Sequence, residues 1–272
     1  TAGPMAKNVM DAAKVLKAIA GKDPLDSYTA QIPQDYDYEK LIDLDANYLK
    51  GKRVGVLNSS ESSEIEKGLI KKIKKVLEAK GAVIVDVEFN ISSDYKAAKE
   101  FYVLLYEFNV GMKRYLEGRD LPYETLEDIV EFNKANADTV LKHFGQEIFL
   151  ESLKATDTER YLKEREDIGR LAKAQIDSVL KVNNLDVIIG LTRNPGWLTD
   201  LENGDSRGDG GISWSNGGLS AVAGYPHITI PLDFVNDLPV GVSFLGTAWD
   251  EANLINAAYS FEQENKFFPI PK

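Results

Sequence analysis

The chain has 272 residues, 43% of them hydrophobic, and a formal charge of −11, enough to bury a sizeable core as one large domain or two small ones. Its acidity disfavours nucleic-acid and anionic-membrane partners. The absence of cysteine removes disulfides, thiolate metal sites and cysteine nucleophiles together. No run of 18 apolar residues is present to span a bilayer, and no signal-peptide pattern is found; the sequence opens on Thr1, so the compartment stays open.

In chain order, "GPMAKNVMDAAKVLKAIAGKDPLD" (3–26) predicts a helix. Pro4 suits a first helical position, apolar residues recur at helical spacing, and Gly21 and Pro24 end it. Residues 22–48 are polar and predict a long surface connection. "KRVGVL" (52–57) predicts a buried strand, and 62–81 a helix with Ile65, Leu69, Ile73, Val76 and Leu77 on one face. "AVIVDVEF" (82–89) predicts the next strand, so the three form a right-handed βαβ unit. Residues 92–182 predict a mainly helical insertion. "LDVIIGLT" (185–192) returns to strand, and a Gly/Asp/Asn/Trp-rich loop follows over 193–213. A short helix is expected around 217–223, strands at 227–231 and 240–245, and an amphipathic helix over 249–265. This order gives an α/β architecture with a mixed, mostly parallel sheet, read as a single domain over 1–272.

The only histidines, His143 and His227, lack metal-binding spacing, and "DLENGDSRGDG" lacks the order of a calcium loop. No phosphate-loop or G-x-S-x-G pattern occurs; the turn Asn58-Ser59-Ser60 allows a small anion at a helix N-terminus or ordinary capping by Ser62 or Ser63. Ser213, Ser215 and Ser220, with His227 as base, have the residue types of a nucleophile pair. The alternative is that Ser220 lets a small-residue helix pack closely and that His227, at a strand start, is a satisfied edge or loop group. The loop holding Thr192, Asn194, Trp197, Asp200, Asn203 and Asp205 leaves the C-terminal end of a strand, where open α/β sheets bind ligands. Its Trp and amide side chains suit a polar, peptide-like group; equally, they suit turn caps and a core plug.

Several segments together resemble one family, the amidase signature hydrolases, in its peptide-amidase-like and general amidase branch. They are "GPMAKNVMDAAKVLKAIAGKDPLD", "LKGKRVGVL", "LDVIIGLTRNPGW", "NGGLSAVAGYPHITIP", "LPVGVSFLG" and "EANLINAAYSFEQ", with "WLTDLENGD" and "GTAWDEANLI" pointing to the branch. The likeness covers 1–57 and 183–264 well and the helical middle loosely. Leu191 stands where the family usually has Pro before Thr192, and His227 where it often carries a small or apolar residue.

The resemblance implies hydrolysis of carboxylic amides by a Ser–cis-Ser–Lys triad with a Gly/Ser-rich oxyanion loop. All of those parts have their family positions upstream of Thr1. The chain is therefore expected to be the C-terminal portion of an α/β/α amidase fold, inactive alone, with no catalytic residue of its own and no metal or cofactor. It would supply a pocket wall from Thr192, Asn194, Trp197, Asp200, Asn203, Asp205, Trp214 and Asn216. The expected partners are the N-terminal half, a small amide substrate and, through exposed sheet edges, further copies of the chain. The rival readings are a small-molecule-binding module without catalysis and a degenerate scaffold kept for interaction.

Overall fold

The computed structural model describes residues 3–58, 62–89, 92–97, 100–202 and 216–269. It resolves into two compact units. One comprises Thr1–Ile91, Ala172–Gly196 and Asp209–Lys272; the other comprises Ser92–Leu171 and Trp197–Gly208. The strands are β1 (Arg53–Leu57), β2 (Val83–Val87), β3 (Val187–Leu191), β4 (His227–Val235) and β5 (Leu238–Leu245). The helices are α1 (Val9–Ile19), α2 (Glu64–Ala79), α3 (Ser93–Ala97), α4 (Glu100–Leu116), α5 (Leu126–Ala135), α6 (Ala137–Val140), α7 (Glu147–Lys154), α8 (Thr158–Val182), α9 (Gly218–Ala223) and α10 (Glu251–Asn265).

The first unit is built on one sheet of order β2-β1-β3-β5-β4. β1 pairs in parallel with β2 and β3, and β5 pairs antiparallel with β3 and β4. Four strands thus run one way and β5 alone is reversed, the mixed α/β sheet the sequence leads one to expect. β4 and β5 are joined by Asn236 and Asp237, both at positive φ (51° and 64°), as a two-residue turn matched to strand twist requires. Successive strand residues face opposite sides. One side, with Val54, Val56, Ile189, Leu191, Val242, Phe244 and Ile230, packs with α1, α2 and α10 into the core. The Phe244 and Phe261 rings meet edge to face at 5.7 Å, a favoured aromatic geometry.

Two expectations change. α1 begins at Val9 rather than near Pro4, because Asn8 caps it by accepting from the Asp11 amide at 2.8 Å and Glu262 accepts from the Val9 amide at 3.0 Å. Residues 22–48 are not a surface connection throughout. Short 3₁₀ turns at Ser27–Gln31 and Tyr38–Leu41 lead the chain back to the core, and Leu41 is 1% exposed. The buried Asn256 of α10 accepts from the Asp45 amide and donates to the Asp43 carbonyl, while Ser260 donates to Ala46. These bonds satisfy backbone groups that burial would otherwise leave unpaired, at a cost of about 1–3 kcal/mol each. α2 starts where Ser63 and Glu66 form a capping box, and its buried face is Leu69, Ile70, Ile73, Val76 and Leu77, with Ile65 exposed.

The second unit is helical. α5 is opened by a Thr125–Asp128 capping box, the Phe108 and Phe149 rings of α4 and α7 lie 5.3 Å apart, and Tyr106 of α4 stacks on Tyr161 of α8 at 4.1 Å. The Tyr102 hydroxyl donates to the Asp157 carbonyl and accepts its amide, fixing the start of α8.

If residues 41–49 are core, Leu41→Ala should lower unfolding free energy by about 2–5 kcal/mol. Leu25→Ala, at a side chain 91% exposed, should change it by less than about 0.5 kcal/mol. Urea denaturation followed by circular dichroism reads both.

Candidate functional site

The core-facing alternation that buries Ile189 and Leu191 sends Gly190 and Thr192 to the other side of the sheet. Gly190 pairs with Ser243 of β5, and Ser243 pairs with Thr229 of β4. Three hydroxyls, from β4, β5 and the residue that follows β3, therefore share one face at the C-terminal end of β3. Ser243 Oγ donates to Thr192 Oγ1 at 2.8 Å, Thr192 and Thr229 Oγ1 are 2.6 Å apart, and Thr229 Oγ1 donates to the Val242 carbonyl at 3.3 Å. Ser243 is fully buried, Thr192 half-buried and Thr229 exposed.

Two glycines make the row possible by close approach. A Cβ on Gly241 would sit 2.8 Å from both threonine hydroxyls, and one on Gly190 would sit 2.7 Å from Asn216 Nδ2 and 2.8 Å from Leu57. Asn216 closes the strand end: its amide donates to the Thr192 carbonyl at 3.0 Å and its Nδ2 to the Leu191 carbonyl at 2.6 Å. The Thr192 amide in turn donates to Gly241.

Of the candidate wall residues, the structure thus brings Thr192 and Asn216 into direct contact. Asn194, 8% exposed, keeps its Nδ2 3.5 Å from the carbonyl of Pro195. Trp197 and Asp200 belong to the helical unit, where Asp200 accepts from the Glu202 amide at 2.9 Å and so caps a turn. Asn203, Asp205 and Trp214, like Ser59, Ser60, Ser213 and Ser215, lie outside the described residues. Sequence reasoning missed Thr229 and Ser243. Their period-2 placement opposite Ile228, Ile230, Val242 and Phe244 was a signal that they face away from the core, but it did not give the register that joins them.

The Ser220–His227 nucleophile pair does not form. Ser220, 1% exposed on α9, and His227, at the start of β4, have side-chain atoms Oγ and Nε2 buried without a hydrogen-bond partner among the described residues; a bond between them would have satisfied both. Ser220 is buried as close packing of α9 expects, and the Cβ position of Gly217 is 4.0 Å from His227 Cε1, so the start of α9 lies against the imidazole. His227 is not the satisfied group expected of a strand start, since its Nε2 has no partner among the described residues. Burial pushes the His227 pKa below its ordinary value, keeping the ring neutral. α9 is held in place by Tyr225, which donates to Asp177 of α8 at 2.9 Å; the same carboxylate accepts from Thr247, after β5, at 3.1 Å. Among the described residues no group of three or more His, Asp or Glu side chains could hold a metal ion, and no helix is long and apolar enough to cross a membrane. A separate groove of about 820 Å³ is lined by Ala6, Met10, Pro231, Tyr259, Glu262 and Phe268 among others, and by none of the candidate wall residues.

A mixed sheet flanked by helices, with a polar row at the carboxyl end of a strand, is the frame on which open α/β folds bind ligand at strand ends. The family follows from comparison with known proteins. The amidase model matches residues 1–255, and the chain belongs to the amidase family. It is 28% identical over 282 residues to a probable amidase of Arabidopsis thaliana, covering 99% of this chain and 49% of that protein. It is 29% identical over 287 residues to a glutamyl-tRNA(Gln) amidotransferase subunit from Exiguobacterium sibiricum, covering 99% and 56%. The native peptide amidase from Stenotrophomonas maltophilia superposes with a TM-score of 0.89 at 36% identity, covering 100% of this chain and 55% of that one. An amidase family protein from Bacillus anthracis superposes with a TM-score of 0.82 at 29% identity, covering 100% and 50%. The chain spans about half the length of the relatives it matches.

The buried neutral His227 has a pH signature. Its folded pKa is lowered from an unfolded value near about 6.5, so below that pH the unfolded state binds more protons and stability falls on acidification. Asp250, raised by burial to about 6, acts with the opposite sign, gaining stability as pH falls toward its unfolded value. The variant difference therefore isolates the histidine: His227→Leu should shrink the loss of urea midpoint between pH 7.5 and pH 5.5. An equal loss in both proteins would contradict this.

Proposed function

We propose that this chain is part of a hydrolase of carboxylic amide C–N bonds, and that the carboxyl end of β3 forms one wall of its substrate pocket. The observation that carries the reading is the likeness to the peptide amidase over the whole chain at 36% identity, combined with the hydroxyl row at the strand end. Cleaving an amide requires an activated nucleophile and preorganised donors for the oxyanion. The one Ser/His pair that the sequence offers within the described residues lacks a connecting hydrogen bond. The nucleophile, its base and the oxyanion donors are assigned to the remaining half of the enzyme, whose relatives are about twice as long, and that half is the proposed partner of this chain.

In this division of labour the chain contributes binding and shape. Thr192, Asn194 and Asn216 are the proposed wall residues of the sheet unit; Trp197, Asp200, Asn203, Asp205 and Trp214 are substrate contacts proposed from the sequence alone. No cofactor is called for, because amide hydrolysis of this type transfers an acyl group to a side chain and then to water. Its substrates would be small or peptide-like amides.

Hydrolysis of a panel of amides by the purified 272-residue chain, set beside a polypeptide of the relatives' full length, tests the reading. The chain alone should give no turnover above buffer and the longer protein should hydrolyse at least one amide. Turnover by the chain alone, or none by the longer protein, would overturn it. In the longer protein Asp200→Ala should raise KM for charged or peptide amides with a smaller effect on kcat; an unchanged substrate profile would remove Asp200 from the wall.

A further inference from the structure

The hydroxyl row has a direction. Each hydroxyl has one proton to donate and two lone pairs to accept with. All three contacts form at once in one arrangement only: Thr229 donates to the Val242 carbonyl, which can only accept, so that at the short contact, where either hydroxyl can donate, Thr192 is the donor and Thr229 the acceptor. Ser243 spends its own proton on Thr192. The chain runs Ser243 to Thr192 to Thr229 to Val242, and no hydroxyl proton is left over. The lone pairs are not used up: Thr192 and Thr229 each keep one. Because Ser243 is fully buried while Thr192 is half-buried and Thr229 exposed, the oxygens an incoming group meets are those of the two threonines.

Space above them is kept free by Gly241, whose missing Cβ would have stood 2.8 Å from both oxygens. On one flank the Asn216 amide is anchored to Leu191 and covers Gly190. The two threonine oxygens thus present lone pairs and no free hydroxyl proton at the sheet surface. A carboxylate or oxyanion placed there would set lone pair against lone pair. An N–H group would complete the chain, and hydrogen bonds in such chains polarise one another.

We propose that the Thr192–Thr229 pair is the subsite that recognises the nitrogen side of a substrate amide through its N–H. The acyl oxygen, which becomes negative during hydrolysis, must lie elsewhere. This rests on the amide-hydrolase reading and refines it, giving the wall a selectivity for amides that carry an N–H over tertiary amides and over the product carboxylate.

Benzamide, N,N-dimethylbenzamide and benzoate share one ring and differ at this group. In NMR titrations of the 272-residue chain, benzamide should shift the Thr192 and Thr229 methyl signals. The other two should bind at least about tenfold more weakly, the loss expected for one or two hydrogen bonds and an unpaired acceptor. Thr229→Val, which keeps the shape and removes the oxygen, should abolish the preference, while Thr229→Ser should retain it. Equal affinity for the three probes, tighter binding of benzoate, no binding of benzamide, or an unchanged preference in Thr229→Val would each overturn the proposal. The same three proteins made at the relatives' full length separate the two claims. Amide hydrolysis without N–H selectivity would sink this subsite alone, whereas N–H-selective binding without hydrolysis would sink the enzyme reading and leave the subsite.

Discussion

The reversed strand β5 is the constraint on which the rest of the first unit depends. It lies between β3 and β4 and pairs with both, so its alternation sets the character of both sheet faces. Val242 and Phe244 point into the core and are fully buried; Ser243 and Gly241 point the other way. Burying a side chain such as Phe244 stabilises by about 1.5–3 kcal/mol, whereas a neutral hydroxyl–hydroxyl bond adds about 1 kcal/mol net. The apolar face therefore secures the register, and the polar face is carried along by it. A one-residue slip of β5 would exchange the two sets, destroying the core and the hydroxyl row together. Position and chemistry at the end of β3 are thereby tied to fold stability.

Local periodicity carried most of the architecture. The one-sided burial of α2 and the Val/Ile runs of β1 and β3 are properties of short windows, and they read correctly. What escaped were features that depend on residues far apart in the chain. Leu41 and Leu49 sit in a polar stretch without periodicity, and partners far along the chain, Asn256 and Ser260 more than 200 residues away among them, make that stretch part of the core. The site shows the same division. Thr192 could be chosen because it stands at a strand end and Asn216 as a loop residue, but their companions Thr229 and Ser243 required the register of the strands. Conversely, Ser220 and His227 lie seven residues apart and have the residue types of a catalytic pair, yet a small-residue helix and a strand start place them without a bond. Residue type suggested chemistry there; backbone geometry decided against it.

The family likeness gives the amide as the bond to consider, and the polarity of the strand end says which side of that bond this chain can address. Acceptors without spare protons suit a nitrogen that bears hydrogen; they cannot stabilise an oxyanion, which needs donors. In the proposed enzyme the two tasks fall to different halves. The other half attacks the carbonyl and holds its oxygen, and this one holds the amide nitrogen and excludes alternatives. Such a split is consistent with a well-packed core beside a Ser220 and a His227 that are not bonded to each other.

The most direct measurement of that central claim is covalent. A serine-directed phosphonylating reagent forms a stable adduct only where a hydroxyl is activated as a nucleophile, and intact mass with peptide mapping locates it. The account predicts no stoichiometric adduct on the 272-residue chain, Ser220 included, and a single adduct outside these residues in a protein of the relatives' full length. A stoichiometric adduct on Ser220, or on any other serine of this chain, would contradict it.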